Sequence, residues 1–426
     1  MSLAGFLDRT GLGSREARAW ASYDWANSAM VTVVMTAVFP VYYSKSLSEG
    51  LDPSDAKVYY LWATTAALVA SAIASPLLGA VADSRGRRKT FLAVAMLFGV
   101  ASVAALAFFD TGAWGGALAA FALANIGATL SFVFYDSLLP FVAKGGDMDR
   151  LSTAAYGIGY LGGGLALGLC TLLISFPGVV GMEPGTAPVR ASFVVVAAWW
   201  GIFSIPVLRR VPEPPPTVAA ARRGAVRQLL DTLAELRRYP QALLVLLAFL
   251  LYNDGIVTII RMAAIFAEDR DIPSETVLTI LLLVQFVALP AAFGYGQLAR
   301  RFGAKRSVLF GIGGYGVITL LAGWMSTTTH FVALALAVAL VQGGVQALSR
   351  SLFASFIPAS RSAEFFSLFG VAEKFFSILG PMVLSWSIAW VGDRWAVLSL
   401  LPFFAVGALL LARVDEEEGR RRATAG

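Results

Sequence analysis

The sequence predicts an all-α membrane protein, with twelve transmembrane helices in two pseudo-symmetric six-helix bundles. Three observations lead there. Hydrophobic residues fill 58% of the 426 positions and charged residues only 14%, too little charge to cover the surface of a soluble chain this long. The apolar residues form twelve continuous runs, each near the roughly 20 residues a bilayer-spanning helix needs. Continuous rather than alternating apolar character also excludes barrel strands. Finally, a basic loop occurs twice, as GAVADSRGRRK from Gly79 and as GQLARRFGAKR from Gly296, with its glycines in the same phase. Such a repeat is the mark of two homologous halves.

Residues 1–19 are polar and lead straight into the first run, so a cleavable signal peptide is not expected and the segment reads as a cytoplasmic N-terminus. Runs at 20–44, 57–81, 90–109, 114–139, 152–175 and 191–208 make an N-terminal bundle spanning 20–208. Residues 209–240 are the one long internal break. There, VPEPPP from Val211 stops the sixth helix, because successive prolines cannot continue it. The following ARRGAVRQLLDTLAELRRYP alternates charge and leucine at helical spacing, as an amphipathic helix on the membrane surface or as a plain tether between bundles. Runs at 241–267, 276–299, 307–325, 331–352, 365–390 and 395–412 make a C-terminal bundle spanning 241–413. Residues 414–426, with Glu416–Glu418 and the arginines after them, read as a disordered cytoplasmic tail.

The net charge of +6 reports topology rather than nucleic-acid binding. With the N-terminus inside, 25 of the 33 Lys and Arg fall in cytoplasmic segments, five on the opposite side, and three within spans: Arg261, Arg350 and Lys374. That asymmetry places both termini in the cytoplasm of a multi-pass protein of the cell (inner) membrane. One cysteine, Cys170, and one histidine, His330, leave no material for a disulfide, a zinc site or a Cys/His catalytic pair. No cofactor, no metal and no enzymatic activity are expected, and Cys170 reads as a packing residue. Trp20, Trp62, Trp114, Trp199, Trp200, Trp324, Trp390 and Trp395 fall near helix ends, where indole rings anchor at the membrane interface. Glycines crowd the fifth run from Gly157 to Gly168, either for close helix packing or as a hinge.

A charge at mid-bilayer costs roughly 2.5–3.5 kcal/mol on insertion scales, so each one needs a partner or a watery cavity. In the first run Asp24, Asn27 and Ser28 share a face. In the fourth, Asn125, Thr129 and Asp136 do. In the seventh, Asn253 and Asp254 lie mid-span, with Thr258 and Arg261 continuing the Asp254 face. The tenth carries a stripe of Gln342, Gln346, Ser349 and Arg350, and Glu373 and Lys374 lie well inside the eleventh. These groups either line a central cavity or pair with one another to hold helices together. Asp24, Asn27, Asn125, Asn253, Asp254, Arg261, Gln342, Gln346, Glu373 and Lys374 are the candidates for binding or coupling. Asp254 and Arg261, almost two turns apart on one face, are expected to line a mid-membrane site; direct contact between them would need a helix break, for which Gly255 offers a place. Arg350 is expected to pair with Asp136 or Asp24 across the two halves.

The loop from Gly79 resembles the one between the second and third helices of major facilitator superfamily transporters. The resemblance implies that Gly79, Asp83, Gly86 and Arg87, with Asp136 and Arg350, gate the cytoplasmic side, and that Asp83 sits beside the start of the eleventh helix near Ser362–Phe365. It also implies that spans one, four, seven and ten, those with the clearest polar stripes, line the central cavity. In the second copy Arg300 replaces the acidic residue, so a matching gate there is not implied. YDWANSA at Tyr23–Ala29, GGVQALSRS at Gly343–Ser351, EFFSLFG at Glu364–Gly370 and KFFSILGP at Lys374–Pro381 are similar to the vacuole effluxer family, a branch whose fungal members release amino acids from the vacuole during autophagy.

The reading is a secondary active transporter that moves a small polar or zwitterionic solute, an amino acid first among them, by alternating access. Nothing resembles a nucleotide-binding loop, so ATP is not the direct driver. A coupling proton could reside on Asp254, Glu373 or Asp24. The expected partners are the solute and the lipid bilayer, and the chain is expected to act as a monomer. An exporter of hydrophobic compounds or drugs is the rival within the class. A non-transporting receptor or scaffold of the same fold is the rival outside it.

Overall fold

A computed structural model of the chain describes residues 3–143, 147–216, 225–268 and 274–425. The side chains of 3–4, 225–229, 261–268, 274–276, 278, 393–394 and 425 lie outside the description. The helices expected as spans are α1 (Arg15–Leu47), α2 (Pro53–Arg85), α3 (Arg88–Phe108), α4 (Trp114–Val142), α5 (Met148–Ser175) and α6 (Thr186–Arg210) in the first half. The second half contains α7 (Pro240–Glu268), α8 (Ser274–Phe302), α9 (Ala304–Ala322), α10 (Thr328–Ser355), α11 (Ala359–Val391) and α12 (Val397–Ala412). Among the described residues ten helices are long and apolar enough to cross a membrane, and an eleventh joins them if α12 and the helix after it are counted as one bent span.

Within each half the helices pack as neighbours: α1 on α5, α3 on α4, α7 on α12 and α8 on α10. The halves meet along α2–α11 and α5–α8. Both chain termini lie on one face, here the terminal face. Asp8 there accepts from Arg150 at the start of α5, and Asp415 meets Gln241 at the start of α7.

The α1–α5 contact shows what the crowded glycines do. A Cβ added at Gly162 would stand 2.5 Å from the Trp25 carbonyl oxygen, and one at Gly163 would stand 2.7 Å from Thr32 Oγ1. Only glycine lets the two backbones approach so closely. Cys170 is buried in the same helix, as a packing residue would be. Farther along, α1 widens into π-helical turns over Met30–Val38, a distortion often found beside functional sites.

Three expectations change. Trp20 and Trp200 do not anchor at an interface but are fully buried, and Trp20 Nε1 donates to the Tyr135 carbonyl at 3.0 Å. The tail is ordered, with Glu416–Ala425 forming a helix. Asp415 Oδ1 caps it by accepting from the backbone of Glu417 and Glu418, each at 3.0 Å, and Glu416–Arg420 and Glu418–Arg422 pair one turn apart. The seventh helix runs unbroken through Gly255. The break is in α11 instead, where one helix ends at Phe376 and a second begins at Leu379.

The break between the halves runs along the terminal face. Glu213 accepts from the backbone of Lys89 and Thr90, at 2.9 and 2.8 Å, and so caps the start of α3. Residues 217–224 are not described. A linker helix, Ala225–Leu236, then reaches the other half. Thr232 Oγ1 donates to Glu364 Oε1 at 2.6 Å and Arg361 pairs with Glu235 at 3.3 Å. Leu230 and Leu233 stay exposed on the outer side. Among its described side chains the helix thus sets polar groups against the start of α11 and leaves leucines exposed on the other side.

Candidate functional site

On the terminal face α2 ends at Gly86, whose left-handed backbone (φ +60°) lets the chain turn sharply into α3. Asp83, one turn before it, is buried and aims at the first turn of α11. Its two carboxylate oxygens accept from the backbone N–H groups of Ala363 (3.3 Å) and Glu364 (2.9 Å). A carboxylate at a helix N-terminus is favoured by the unpaired N–H groups and the helix dipole. Arg88 closes the arrangement. It pairs with Asp83, donates to the Ser360 carbonyl, and stands 4.7 Å above the Phe141 ring. Gly79 lies flat against the same turn, and an added Cβ there would come 2.8 Å from the Ala363 carbonyl oxygen. Arg87, expected at the gate, is exposed; Arg88 next to it is the buried cation.

Above this closure lies a cavity of about 490 Å³ between the halves. Its floor is a charge cluster. Arg350 of α10 reaches entirely into the other half. Nε donates to Ser152 Oγ at 2.9 Å, Nη1 to Asp136 Oδ1 at 3.0 Å, and Nη2 to Asp24 Oδ2 at 3.4 Å and the Ser152 carbonyl at 3.2 Å. The Tyr135 hydroxyl also donates to Asp24 Oδ2, at 2.9 Å. The guanidinium sits over the rings of Tyr156 (4.5 Å) and Trp20 (5.0 Å), where cation–π attraction adds to the ion pairs. Two further hydrogen bonds seal the floor across the halves, Ser152 to the Ala347 carbonyl (2.7 Å) and Ser351 to Asp149 Oδ1 (2.6 Å). Toward the other face Gln285 donates to Thr32 across the halves at 3.2 Å. The cavity is therefore closed on the terminal face.

The C-terminal wall presents Glu373 and Lys374 near the end of the first α11 segment. Glu373 Oε1 accepts from Asn253 at 3.2 Å, and Asn253 in turn accepts from Gln346 at 3.5 Å. Gln342 lines the same wall. The Lys374 ammonium has no hydrogen-bond or ion-pair partner among the described residues. Phe249, Phe366 and Phe369 supply an apolar surface beside these groups.

The structure thus brings Asp24, Asp136, Asn253, Gln342, Gln346, Arg350, Glu373 and Lys374 to one cavity. It leaves three expected residues out of the lining. Asn27 is buried against Tyr23 and Ser131, at 3.3 and 3.4 Å. Asn125 turns back to the Phe121 carbonyl of its own helix at 2.8 Å. Asp254 accepts from the Gly380 N–H at 2.7 Å and so caps the second α11 segment. Its carboxylate serves the broken helix, because a break exposes backbone N–H groups that need an acceptor. The Arg261 side chain lies outside the described residues. Sequence reasoning missed Ser152, Tyr135, Tyr156 and Arg88. The tyrosines are hidden in an apolar pattern, but Arg88 stood in the flagged loop and a burial argument for one basic residue of three could have found it.

Two bundles of membrane helices around a polar cavity, closed on one face by contacts between the halves, define a transporter of the major facilitator type. The chain belongs to the family described as vacuole effluxer Atg22-like, which it matches over residues 13–148 and 145–424. It is 35% identical over 419 residues to YxiO of Bacillus subtilis (strain 168), described as an MFS-type transporter, covering 95% of this chain and 96% of that one. It is 28% identical over 313 residues to autophagy-related protein 22-1 of Neosartorya fischeri, where the match covers 65% of this chain and 49% of that one. The match thus spans about half the length of that fungal relative. Among solved structures, the proton:xylose symporter XylE superposes with a TM-score of 0.74 at 15% identity, covering 95% of this chain and 96% of that one. FucP in the outward conformation superposes with a TM-score of 0.70 at 12% identity, covering 94% and 98%. These two likenesses concern the fold.

Proposed function

We propose that this transporter carries a small zwitterionic solute, an amino acid, by alternating access across the cell (inner) membrane, with both termini cytoplasmic and the cavity open outward. One observation carries the reading. The Lys374 ammonium, without a partner among the described residues, and the Glu373 carboxylate stand side by side on the wall of a closed-bottomed cavity, beside an apolar surface of phenylalanines. A carboxylate solute group suits the first, an ammonium the second, and a side chain the third. The first would give Lys374 a counter-charge, and the second would add one to the Asn253 hydrogen bond that Glu373 already accepts. The family's description, vacuole effluxer, agrees with efflux of a solute, and the resemblance to its fungal members implies an amino-acid cargo. Asp24 and Glu373 line the cavity and are the positions from which a proton could be coupled; Asp254 is not. The chain works as a monomer in this reading.

In the same reading Asp83 holds the cytoplasmic gate. Removing its charge with Asp83→Asn weakens the bond to the start of α11 and leaves Arg88 uncompensated. Spin labels across the terminal face should then report longer distances than in the parent, and unchanged distances would remove Asp83 from the gate. The function itself is tested in proteoliposomes. Accumulation of labelled amino acids should depend on the protein and be lost in Lys374→Met with folding intact. Flux of no amino acid, together with efflux of hydrophobic dyes, would favour a drug exporter.

A further inference from the structure

The two halves repeat one construction on the terminal face, outside the transport path. In the first half Lys89 Nζ donates at 2.8 Å to the Val211 carbonyl, just past the end of α6. In the second half Lys305 Nζ donates at 2.8 Å to the Val414 carbonyl, just past the end of α12. A lysine that satisfies the last carbonyls of a helix fixes that helix end against the loop. Each tie joins a basic stretch of the loop to a basic helix end. In the first half Arg85 and Arg87 meet Arg209 and Arg210; in the second Arg300, Arg301 and Arg306 meet Arg413. All these arginines are exposed, and none has a hydrogen-bond or ion-pair partner among the described residues. The carboxylates beside the two loops are engaged, Glu213 in capping α3 and Glu416 with Arg420. Residues 217–229 contain no acidic residue.

Neither patch faces the solute, because α3, α6, α9 and α12 contribute no described residue to the cavity. Their exposed sides are apolar up to the patches. Ile205 (39% exposed), Phe310 (69%) and Leu409 (63%) stand one turn from Arg209, Arg306 and Arg413, on the same helix faces. The surface that acyl chains cover thus runs straight into the guanidiniums, at the helix ends where lipid headgroups lie.

We infer that these are two lipid sites, one in each half, and that each takes the headgroup phosphate of an anionic phospholipid. Guanidinium groups hold phosphate through paired N–H donors, and basic clusters at the membrane end of a helix attract anionic lipid. The acyl chains cover the apolar side chains one turn away. A zwitterionic lipid carries the same phosphate together with a cation that the arginines repel, so the sites select by charge. The inference is independent of which solute is carried.

The full chain in detergent is titrated with phosphatidylglycerol or phosphatidylcholine, and bound lipid is counted by native mass spectrometry. Two phosphatidylglycerols should be held per chain, at least tenfold more tightly than phosphatidylcholine, and added salt should weaken them. Arg306→Gln with Arg413→Gln should leave one, and Arg209→Gln with Arg210→Gln in addition should leave none. Lys45→Gln with Lys57→Gln removes two exposed cations from the opposite face and should change neither count nor affinity. Equal affinity for the two lipids would overturn the inference. So would an equal loss in the Lys45 and Lys57 variant, since the lipid would then answer only to net charge. Displacement by millimolar inorganic phosphate would mean a site for a soluble anion and would overturn it as well. If an arginine variant does not fold, the lipid preference and the count in the parent decide.

Discussion

Arg350 is a cation of one half whose hydrogen-bond acceptors all belong to the other half. They come from α1, α4 and α5, and three aromatic rings surround the guanidinium. Breaking a buried ion pair from one side costs about 3–5 kcal/mol, because the partner charges stay buried. That cost falls only on the conformation in which the halves touch. A tenfold shift in a two-state equilibrium needs about 1.4 kcal/mol, so Arg350→Ala should largely empty the state seen here and stop transport. Spin-label distances across the terminal face and flux measure the two effects. Arg350→Lys should not restore the parent, because an ammonium cannot reproduce the planar fork that reaches Asp136, Asp24 and Ser152 at once. Exchanging the charges of Arg350 and Asp136 should restore part of the activity. If neither Asp24 nor Asp136 supports such an exchange in a folded protein, the pair is not part of the mechanism.

Among the elements, α5 and the linker helix make separable demands. Gly162 on α5 has no room for a side chain against Trp25. Gly162→Leu must push α1 away, and overpacking of this kind costs about 1–3 kcal/mol. Thermal unfolding of the purified protein should show that loss, while Gly168→Ala, where an added Cβ meets nothing within 4 Å, should not. The linker helix acts on conformation instead. Its Thr232–Glu364 bond joins it to the start of α11, beside the Asp83 contact. A hydrogen bond to a charged group contributes about 1.5–3 kcal/mol. Thr232→Val should therefore open the terminal face measurably, in the same direction as Asp83→Asn but less completely. The amphipathic pattern made the linker helix legible in the sequence. Its bridge to α11 was not, because Thr232 and Glu364 are 132 residues apart.

For the whole molecule, the face away from the termini carries a tie between helices that responds to pH. On the face away from the termini, Asp110 joins the α3–α4 turn to α6. It accepts from Thr186 at 2.7 Å and from the Thr111 N–H at 2.8 Å, and it pairs with Arg190. The Thr186 and Thr111 hydrogen bonds, with Arg190 adding to them, hold its carboxyl below the usual carboxylate range. A depressed carboxylate stabilises the fold above its ordinary value and loses that contribution as pH falls through its lowered one. The contribution is thus complete at neutral pH and fades only in strong acid. Asp110→Asn should remove the acid-dependent part of the loss in thermal stability and be almost silent in the lock on the terminal face. The group is largely exposed, so the effect is small.

The sequence by itself determined the class of the protein. Twelve apolar runs leave a bilayer chain no choice but helices, and a loop repeated in phase records two halves. It also flagged the charged groups that the described lining of the cavity contains, because charged and amide groups inside an apolar run are costly enough to be present only for a reason; Asp24, Asp136, Gln346, Arg350, Glu373 and Lys374 all lie there. Tertiary structure decided how those groups are used. Asp254 looked like Glu373 in the sequence, a carboxylate in mid-span, yet one caps a broken helix and the other faces the cavity. Just past the break in α11 the second segment packs tightly on α7, where an added Cβ at Gly380 would stand 2.1 Å from Thr258 Oγ1. Arg88 and Arg87 were likewise equivalent on the page. Helical periodicity tells which residues share a face, but only the packing of neighbouring helices tells what that face meets.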